Sequence, residues 1–167
     1  MSKYLDPVQD PAGWDVLGAG SAAWWDRAHL LSGWLDGPGE RWNLVNAPRK
    51  VNKAMELKYE TKLIDAARAG GRFHFEAHVD YHGANADPDL PEKQKINAKY
   101  DPSKFPEKIT VGVKALGSVP DKLPDPSGQY SFDKIPLPLA KELAGFGEPK
   151  VALPAPIVRK AGAKNTS

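Results

Sequence analysis

The sequence lacks cysteine altogether, which excludes disulfide bonds, zinc–thiolate sites and cysteine nucleophiles. It also lacks an apolar run of roughly 18 residues, so we predict no membrane-spanning helix and no membrane partner. The first ten residues contain no basic stretch followed by an apolar one, so we expect no classical signal peptide. A net charge of +2 is too small to indicate nucleic-acid binding by itself.

The remaining composition is that of an ordinary globular domain, with 41% hydrophobic and 26% charged residues. A chain of 167 residues suffices for one domain with a core and an appendage. Ten of the sixteen prolines lie in 101–167, which favours extended, irregular chain there. We therefore predict an irregular lead-in at 1–13, a core at 14–116, a proline-rich extension packed on the core at 117–158 and a disordered tail at 159–167.

Hydrophobic patterns predict three strands. The stretch 22–31 is apolar enough for a buried strand. Residues 72–82 alternate strictly between apolar and polar, as a strand with one exposed face does, and 109–113 alternate in the same way. The segment 83–101 between them is predicted to be a polar loop.

One long helix is predicted at 48–69, with Asn46 as its N-cap and Pro48 in its first turn. Its apolar stripe recurs every four positions, at Val51, Met55, Tyr59 and Leu63. Two glycines, at 70 and 71, are expected to end it. The pattern also allows a short helix at 137–144, stopped by Gly145.

Polar residues interrupt the first strand and the helix at a spacing that suits phosphodiester chemistry. Arg27 and His29 lie inside the apolar stretch, where polar groups need partners or line a site. Asn52, Glu56 and Glu60 are four positions apart and form one slanting polar stripe on the helix. A one-metal phosphodiesterase needs an imidazole base, oxygen ligands for a hard cation and an arginine for phosphate.

Each of these residues also has an ordinary structural explanation. A lone histidine in an apolar strand is more often structural than catalytic, and asparagines near a helix start are commonly caps. Glu56 and Glu60 can pair with nearby lysines on a solvated face. A second metal site at His74, His78 and His82 is disfavoured, because strand residues four apart are about 13 Å apart. The functional interpretation therefore depends on the joint spacing.

This spacing resembles that of the DNA/RNA non-specific endonucleases, which are His-Me finger nucleases with a ββα-metal core. The resemblance is carried by WDRAHL at 25–30, NLVNAPRKVN at 43–52 and Glu60. The family motif has a glycine where this chain has Ala28. The glycine-rich connection 32–40 resembles the compact versions in bacterial polymorphic toxins. The implied fold class is α+β, with a ββα-metal core, a small antiparallel sheet and a proline-rich, largely irregular C-terminal half.

The resemblance also implies residue roles. His29 would be the general base, and Asn52 would be the ligand of Mg²⁺ or another divalent cation such as Mn²⁺. The supporting catalytic residues would be Arg27, Asn43 and Glu60. Larger family members supply a second arginine from an N-terminal sheet, and Arg41 and Arg49 are the candidate substitutes here.

A metal-dependent endonuclease that hydrolyses DNA and/or RNA is accordingly the leading hypothesis. The likeness to toxins implies a cognate immunity protein as a partner. It also implies a secreted or delivered bacterial effector that acts in the cytoplasm of a target cell. The alternative is a non-catalytic protein-interaction module that retains the hairpin as a scaffold. The two differ in whether the side chains of His29 and Asn52 approach a common point.

Overall fold

The computed structural model describes residues 9–18 and 24–147. The predicted tail at 159–167 and the first eight residues of the lead-in lie outside this part of the chain. Its strands and helices are, in chain order, β1 (Trp25–His29), β2 (Leu44–Pro48), α1 (Arg49–Met55), a π-helical segment (Glu56–Glu60), α2 (Thr61–Arg68), β3 (Phe73–Tyr81), α3 (Leu90–Ile96), β4 (Pro106–Ala115) and β5 (Gly128–Phe132). The mixture of helices and small antiparallel sheets agrees with the predicted class. In the described ranges, no helix is long and apolar enough to cross a bilayer.

Strands β1 and β2 form an antiparallel pair in which Trp25 lies opposite Pro48 and His29 opposite Leu44. Strand β1 is shorter than the predicted 22–31, of which 22 and 23 are not described. It ends at His29 because the chain turns into a 3-10 helix at Gly33–Leu35, whose first turn is capped by the Ser32 hydroxyl. The pair leads directly into helix α1.

The predicted long helix is confirmed as a continuous run through α1, the π segment and α2. In the π segment, the backbone N–H of Thr61 donates to the carbonyl of Glu56, five residues earlier. The glycine pair ends the run in a Schellman motif: the N–H of Gly71 donates to Ala66 and that of Gly70 to Ala67. Gly70 has a φ of +94°, which favours glycine there.

The prediction that Asn46 caps this helix is wrong. Asn46 lies inside β2, opposite Arg27, and Pro48 occupies the N-cap position without a side-chain capping bond. The amide nitrogen of Asn46 instead donates to the carbonyls of Ala12 and Lys104, at 2.7 and 3.1 Å. The buried amide therefore connects three distant segments of the chain.

A three-stranded antiparallel sheet, ordered β3–β4–β5, packs on the apolar stripe of the long helix. Strand β3 lies within the predicted strand at 72–82, and β4 contains the predicted strand at 109–113. The core between helix and sheet includes Met55, Tyr59 and Leu63 from the helix, and Ile109 and Val111 from β4. The burial of these side chains positions the polar stripe of the helix at the edge of the core.

The described residues 84–147 are more ordered than their sequence indicates. Helix α3 lies within 83–101, which was predicted to be a loop. Strand β5, which the sequence did not predict, pairs with β4 and contributes Phe132 to the core. The predicted helix at 137–144 is reduced to a 3-10 turn at Ala140–Glu142, because Pro136 and Pro138 keep the preceding chain extended. The domain boundaries at 116 and 158 stay a prediction.

Candidate active site

A cavity of about 520 Å³ opens between the end of β1 and the long helix. His29, Asn52 and Glu60 all line it, so the strand and the helix bring three of the five predicted site residues together. The cavity is also lined by Ser32, Trp34, Glu56, Thr61, Ile64, Asp65 and Arg68. A smaller hollow beside it is lined by Asp26, Arg49, Asn52, Lys53 and Glu56.

His29 is the last residue of β1 and only 6% of it is exposed. Its backbone is held by pairing opposite Leu44 in β2. The next residue, Leu30, donates its N–H to the carbonyl of Asn43 at 2.8 Å, which continues the strand-like pairing past the histidine. The imidazole is thus fixed at the cavity wall by rigid backbone on both sides.

Asn43 does not line the cavity, but it fixes the chain just beyond His29. Its side-chain oxygen accepts a hydrogen bond from the N–H of Leu31 at 2.9 Å. Its amide nitrogen donates to the carbonyls of Leu31 and Pro38, at 3.0 and 2.9 Å. One buried side chain therefore satisfies three backbone groups of the loop that follows His29.

Asn52, in α1, is oriented by Asp26 of β1. The amide nitrogen of Asn52 donates to Oδ2 of Asp26 at 3.0 Å. Arg49 donates to the other carboxylate oxygen, Oδ1, at 3.3 Å. Since Asp26 fixes which end of the amide is the donor, Oδ1 of Asn52 is the end available to a cation. Among the described residues, that oxygen has no hydrogen-bond partner.

Glu60 has a perturbed acidity. Burial raises the pKa of its carboxyl to about 7, and repulsion from the nearby Glu56 carboxylate acts in the same direction. The Tyr59 hydroxyl, 3.5 Å from Oε1 of Glu60, opposes the shift only in part. A carboxyl that is half-protonated near neutral pH, at the wall of a cleft, is typical of a functional site.

Arg27 lies outside the cavity. Its guanidinium donates to Oδ1 of Asp10 at 2.9 Å, is 40% exposed and lies 5.6 Å from the ring centroid of Trp14. Of the two proposed substitutes for a second arginine, Arg41 donates to the carbonyl of Asp10 at 3.1 Å. Arg49 lines the smaller hollow beside Asp26. None of these three arginines lines the large cavity.

Trp34 and Arg68 are among the lining residues of this cavity that the sequence reasoning did not single out. Trp34 lies in the glycine-rich connection, where no pattern distinguishes it from an exposed loop residue. Arg68 follows Asn52 by sixteen positions, too far for the four-residue spacing to place it on the same face. Their convergence depends on the packing of the connection against the end of α2.

His74, His78 and His82 do not form a second metal site. His78 contacts Asp80 at 3.0 Å, and His82 bonds to the carbonyl of Ile135 at 2.8 Å. Across residues 9–18 and 24–147, no group of three or more His, Asp or Glu side chains is arranged to hold a metal ion. A metal at the large cavity would therefore have few protein ligands.

Comparisons with known proteins identify the family. Searches of curated proteins and of solved structures gave no match. The family model for DNA/RNA non-specific endonuclease matches residues 2–102, which include β1, β2, the long helix and every residue that lines the cavity. The match spans more than half of the chain, so the protein belongs to the DNA/RNA non-specific endonuclease family.

Proposed function

We propose that the protein is a metal-dependent endonuclease that hydrolyses phosphodiester bonds of DNA and/or RNA. The observation that carries this proposal is that His29, Asn52 and Glu60 line one cavity. They come from a strand and a helix joined by an antiparallel hairpin, and this arrangement supports a ββα-metal core made of β1, β2 and the long helix. Membership of the family supports the nuclease activity itself.

His29 is the proposed general base. Its neutral imidazole takes a proton from the attacking water, and a well-placed base of this kind contributes roughly 10²–10⁴-fold in rate. The buried strand end keeps the ring in one orientation, and the bonds of Asn43 keep the following loop in place. In this proposal, His29 transfers the proton and Asn43 keeps the loop after His29 in position.

The donor set fits a divalent cation such as Mg²⁺ or Mn²⁺. Oδ1 of Asn52 and the carboxylates of Glu56 and Glu60 are all oxygen donors at one cavity, the type of ligand that hard cations prefer. When bound, the cation would polarise the phosphate and stabilise the leaving oxygen. Asn52 would hold it, Asp26 would orient the amide of Asn52, and Glu60 would accept hydrogen bonds from nearby water.

Arg27 stays a proposed phosphate-binding residue, although it does not line the cavity. Its ion pair with Asp10 is exposed, and pairs of this kind typically contribute only about 0–1 kcal/mol. A substrate phosphate that passes along this face can therefore compete for the guanidinium. The toxin context, with an immunity protein as partner and action in a target cell, is part of the same proposal and depends on the likeness to compact toxin nucleases.

A plasmid-nicking assay with purified protein and Mg²⁺ tests the activity. We expect wild type to nick and His29→Ala to lose at least about 10²-fold in rate, because the base is removed. His74→Ala is the matched control, because His74 is exposed on β3 and does not line the cavity. Absence of cleavage by wild type with any divalent cation would contradict the proposal and favour the interaction module.

A further inference from the structure

The side chains that line the large cavity include more acidic than basic groups. Three carboxylic acids line it, Glu56, Glu60 and Asp65, and Glu56 also pairs at 2.8 Å with Lys53, which is not among the lining residues. The one Lys or Arg among the lining residues in the described chain is Arg68. A phosphodiester that approaches His29 brings a further negative charge. Even when a divalent cation is bound, a cationic side chain in the same cavity lowers the electrostatic cost of that approach.

Arg68 is held in position by an aromatic ring. Its guanidinium carbon lies 5.2 Å from the ring centroid of Trp34. Because a guanidinium is planar, its N–H groups stay available to bond two oxygens of one phosphate while an aromatic ring holds the cation. Trp34 is in turn fixed by the Ser32 hydroxyl, which accepts its backbone N–H at 3.3 Å. The connection after β1 therefore fixes the arginine on α2.

The π segment explains how Arg68 reaches the same side of the helix as Asn52. In an uninterrupted α-helix, residues sixteen positions apart point roughly 160° away from each other. The π segment at Glu56–Glu60 turns through a smaller angle per residue, which reduces this offset and brings the end of α2 toward the cavity. Such segments often occur at functional sites.

The other arginines near the site have different partners. Arg27 pairs with Asp10, Arg41 bonds to the backbone of Asp10, and Arg49 pairs with Asp26. Arg68 has no ion pair with a carboxylate among the described residues. It is therefore available to a ligand anion in the cavity.

We propose that Arg68, positioned by Trp34, binds the substrate phosphate next to His29 and is the second phosphate-binding arginine of this chain. The proposal rests on the proposed nuclease function and assigns to that site a residue from the end of the long helix. Because the guanidinium contacts a phosphate and no base edge, its contribution is independent of nucleotide sequence.

Two measurements test this role. The first compares Mg²⁺-dependent nicking by wild type, Arg68→Ala, Arg68→Lys and Arg72→Ala. Arg72 is the matched control, because it is exposed four residues beyond Arg68 and does not line the cavity. We expect Arg68→Ala to be about 10²-fold slower, as for loss of a preorganised donor, and Arg72→Ala to be unchanged. Arg68→Lys should be intermediate, because lysine retains the charge and loses the planar fork.

The second measurement follows the binding of a labelled DNA duplex by fluorescence anisotropy over a range of salt concentrations. It uses the His29→Ala background with Mg²⁺, in which the DNA stays intact. Loss of one phosphate contact should reduce the slope of log K against log salt by about 0.9, and a merely structural role would leave the slope unchanged. Thermal melting confirms that the Arg68→Ala protein is folded.

The outcomes separate the two proposals. No cleavage by wild type would overturn the proposed nuclease function. Cleavage by wild type and equal cleavage by Arg68→Ala, with an unchanged salt slope, would overturn the role of Arg68 alone. Slower cleavage, a smaller slope and a retained melting temperature would support it.

Discussion

Glu60 at the His29 cavity and Asp87 are both carboxylic acids withdrawn from water, but their partners differ. The side chain of Asp87 is 2% exposed and accepts bonds from Lys93 Nζ and the Tyr100 hydroxyl, each at 2.5 Å. Burial alone would raise the pKa of Asp87, but these hydrogen bonds outweigh it and hold the pKa below its ordinary value. At the cavity, Glu60 has a second carboxylate beside it, and its pKa is raised.

This difference distinguishes the structural polar cluster around Asp87 from the functional cluster around Glu60. A buried carboxylate that bonds to a cation and a hydroxyl has its hydrogen-bonding capacity filled by the protein and does not need a ligand. At the cavity, Glu60 lies beside Glu56 on the same helix, so the arrival of a proton or a cation relieves the repulsion between the two carboxylates. A carboxylic acid therefore stabilises the fold at Asp87, whereas at Glu60 it favours the binding of a proton or a cation.

The largest expected effect concerns the structural cluster. Asp87→Ala should lower the free energy of unfolding by about 3–5 kcal/mol, because it leaves the ammonium of Lys93 buried without its counter-charge. Urea unfolding followed by tryptophan fluorescence measures the change. Glu92→Ala is the control, since it removes the exposed pair with Lys95 and should cost no more than about 1 kcal/mol. Equal losses for the two variants would contradict the distinction between the regions.

The next effect concerns Asn52. Asn52→Ala should reduce Mg²⁺-dependent nicking by more than about 10²-fold, and it should change the melting temperature little because Asn52 is only partly buried. Asp26→Asn, which weakens the orientation of the amide, should cost roughly 10–100-fold and raise the Mg²⁺ concentration needed for half-maximal rate. A lowered melting temperature with intact activity would show that Asn52 belongs with the structural cluster.

The smallest effect is a pH dependence of stability. The folded-state pKa of Glu60, about 7, exceeds the ordinary value of 4.5, so the folded state retains a proton that the unfolded chain loses between these two values. Stability should therefore fall as the pH rises from 4.5 to 7. Without a divalent cation, Glu60→Gln should remove this fall and be more stable than wild type at pH 8, by on the order of 2 kcal/mol.

Unfolding by urea at pH 4 and pH 8, in the presence of EDTA, measures this difference. Glu92→Gln is the control, because Glu92 is exposed and pairs with Lys95. If Glu60→Gln and wild type changed in parallel between the two pH values, Glu60 would not have the raised pKa. Addition of Mg²⁺ should restore part of the stability of wild type at pH 8, because the cation binds the charged form.

Much of the fold could be predicted from periodicity. The strict alternation of β3 and the four-residue recurrence in the long helix each reflect a single buried face, which is a local property of the sequence. Helix α3 and strand β5 could not be predicted in this way. The first depends on Asp87, from outside the helix, as the partner of Lys93, and the second on pairing with β4.

The same distinction between local and long-range determinants applies to the residues of the candidate site. The spacing of His29, Asn52 and Glu60 was enough to predict that they meet, because a hairpin and the helix that follows it are neighbours in the chain. Asn46 was misassigned, because its partners at Ala12 and Lys104 are 34 and 58 positions away. Arg68 was missed, because an α-helical repeat would place it on another face.

The sequence by itself determined three of the strands, the long helix, the family, and the convergence of His29, Asn52 and Glu60 at one cavity. Short-range spacing and a single buried face were sufficient for these. Only the tertiary structure decided that Arg27 lies against Asp10 and that Arg68 shares the cavity with His29. The physical reason is that the π segment and the packing of Trp34 set the direction of a side chain, and neither follows from residue spacing.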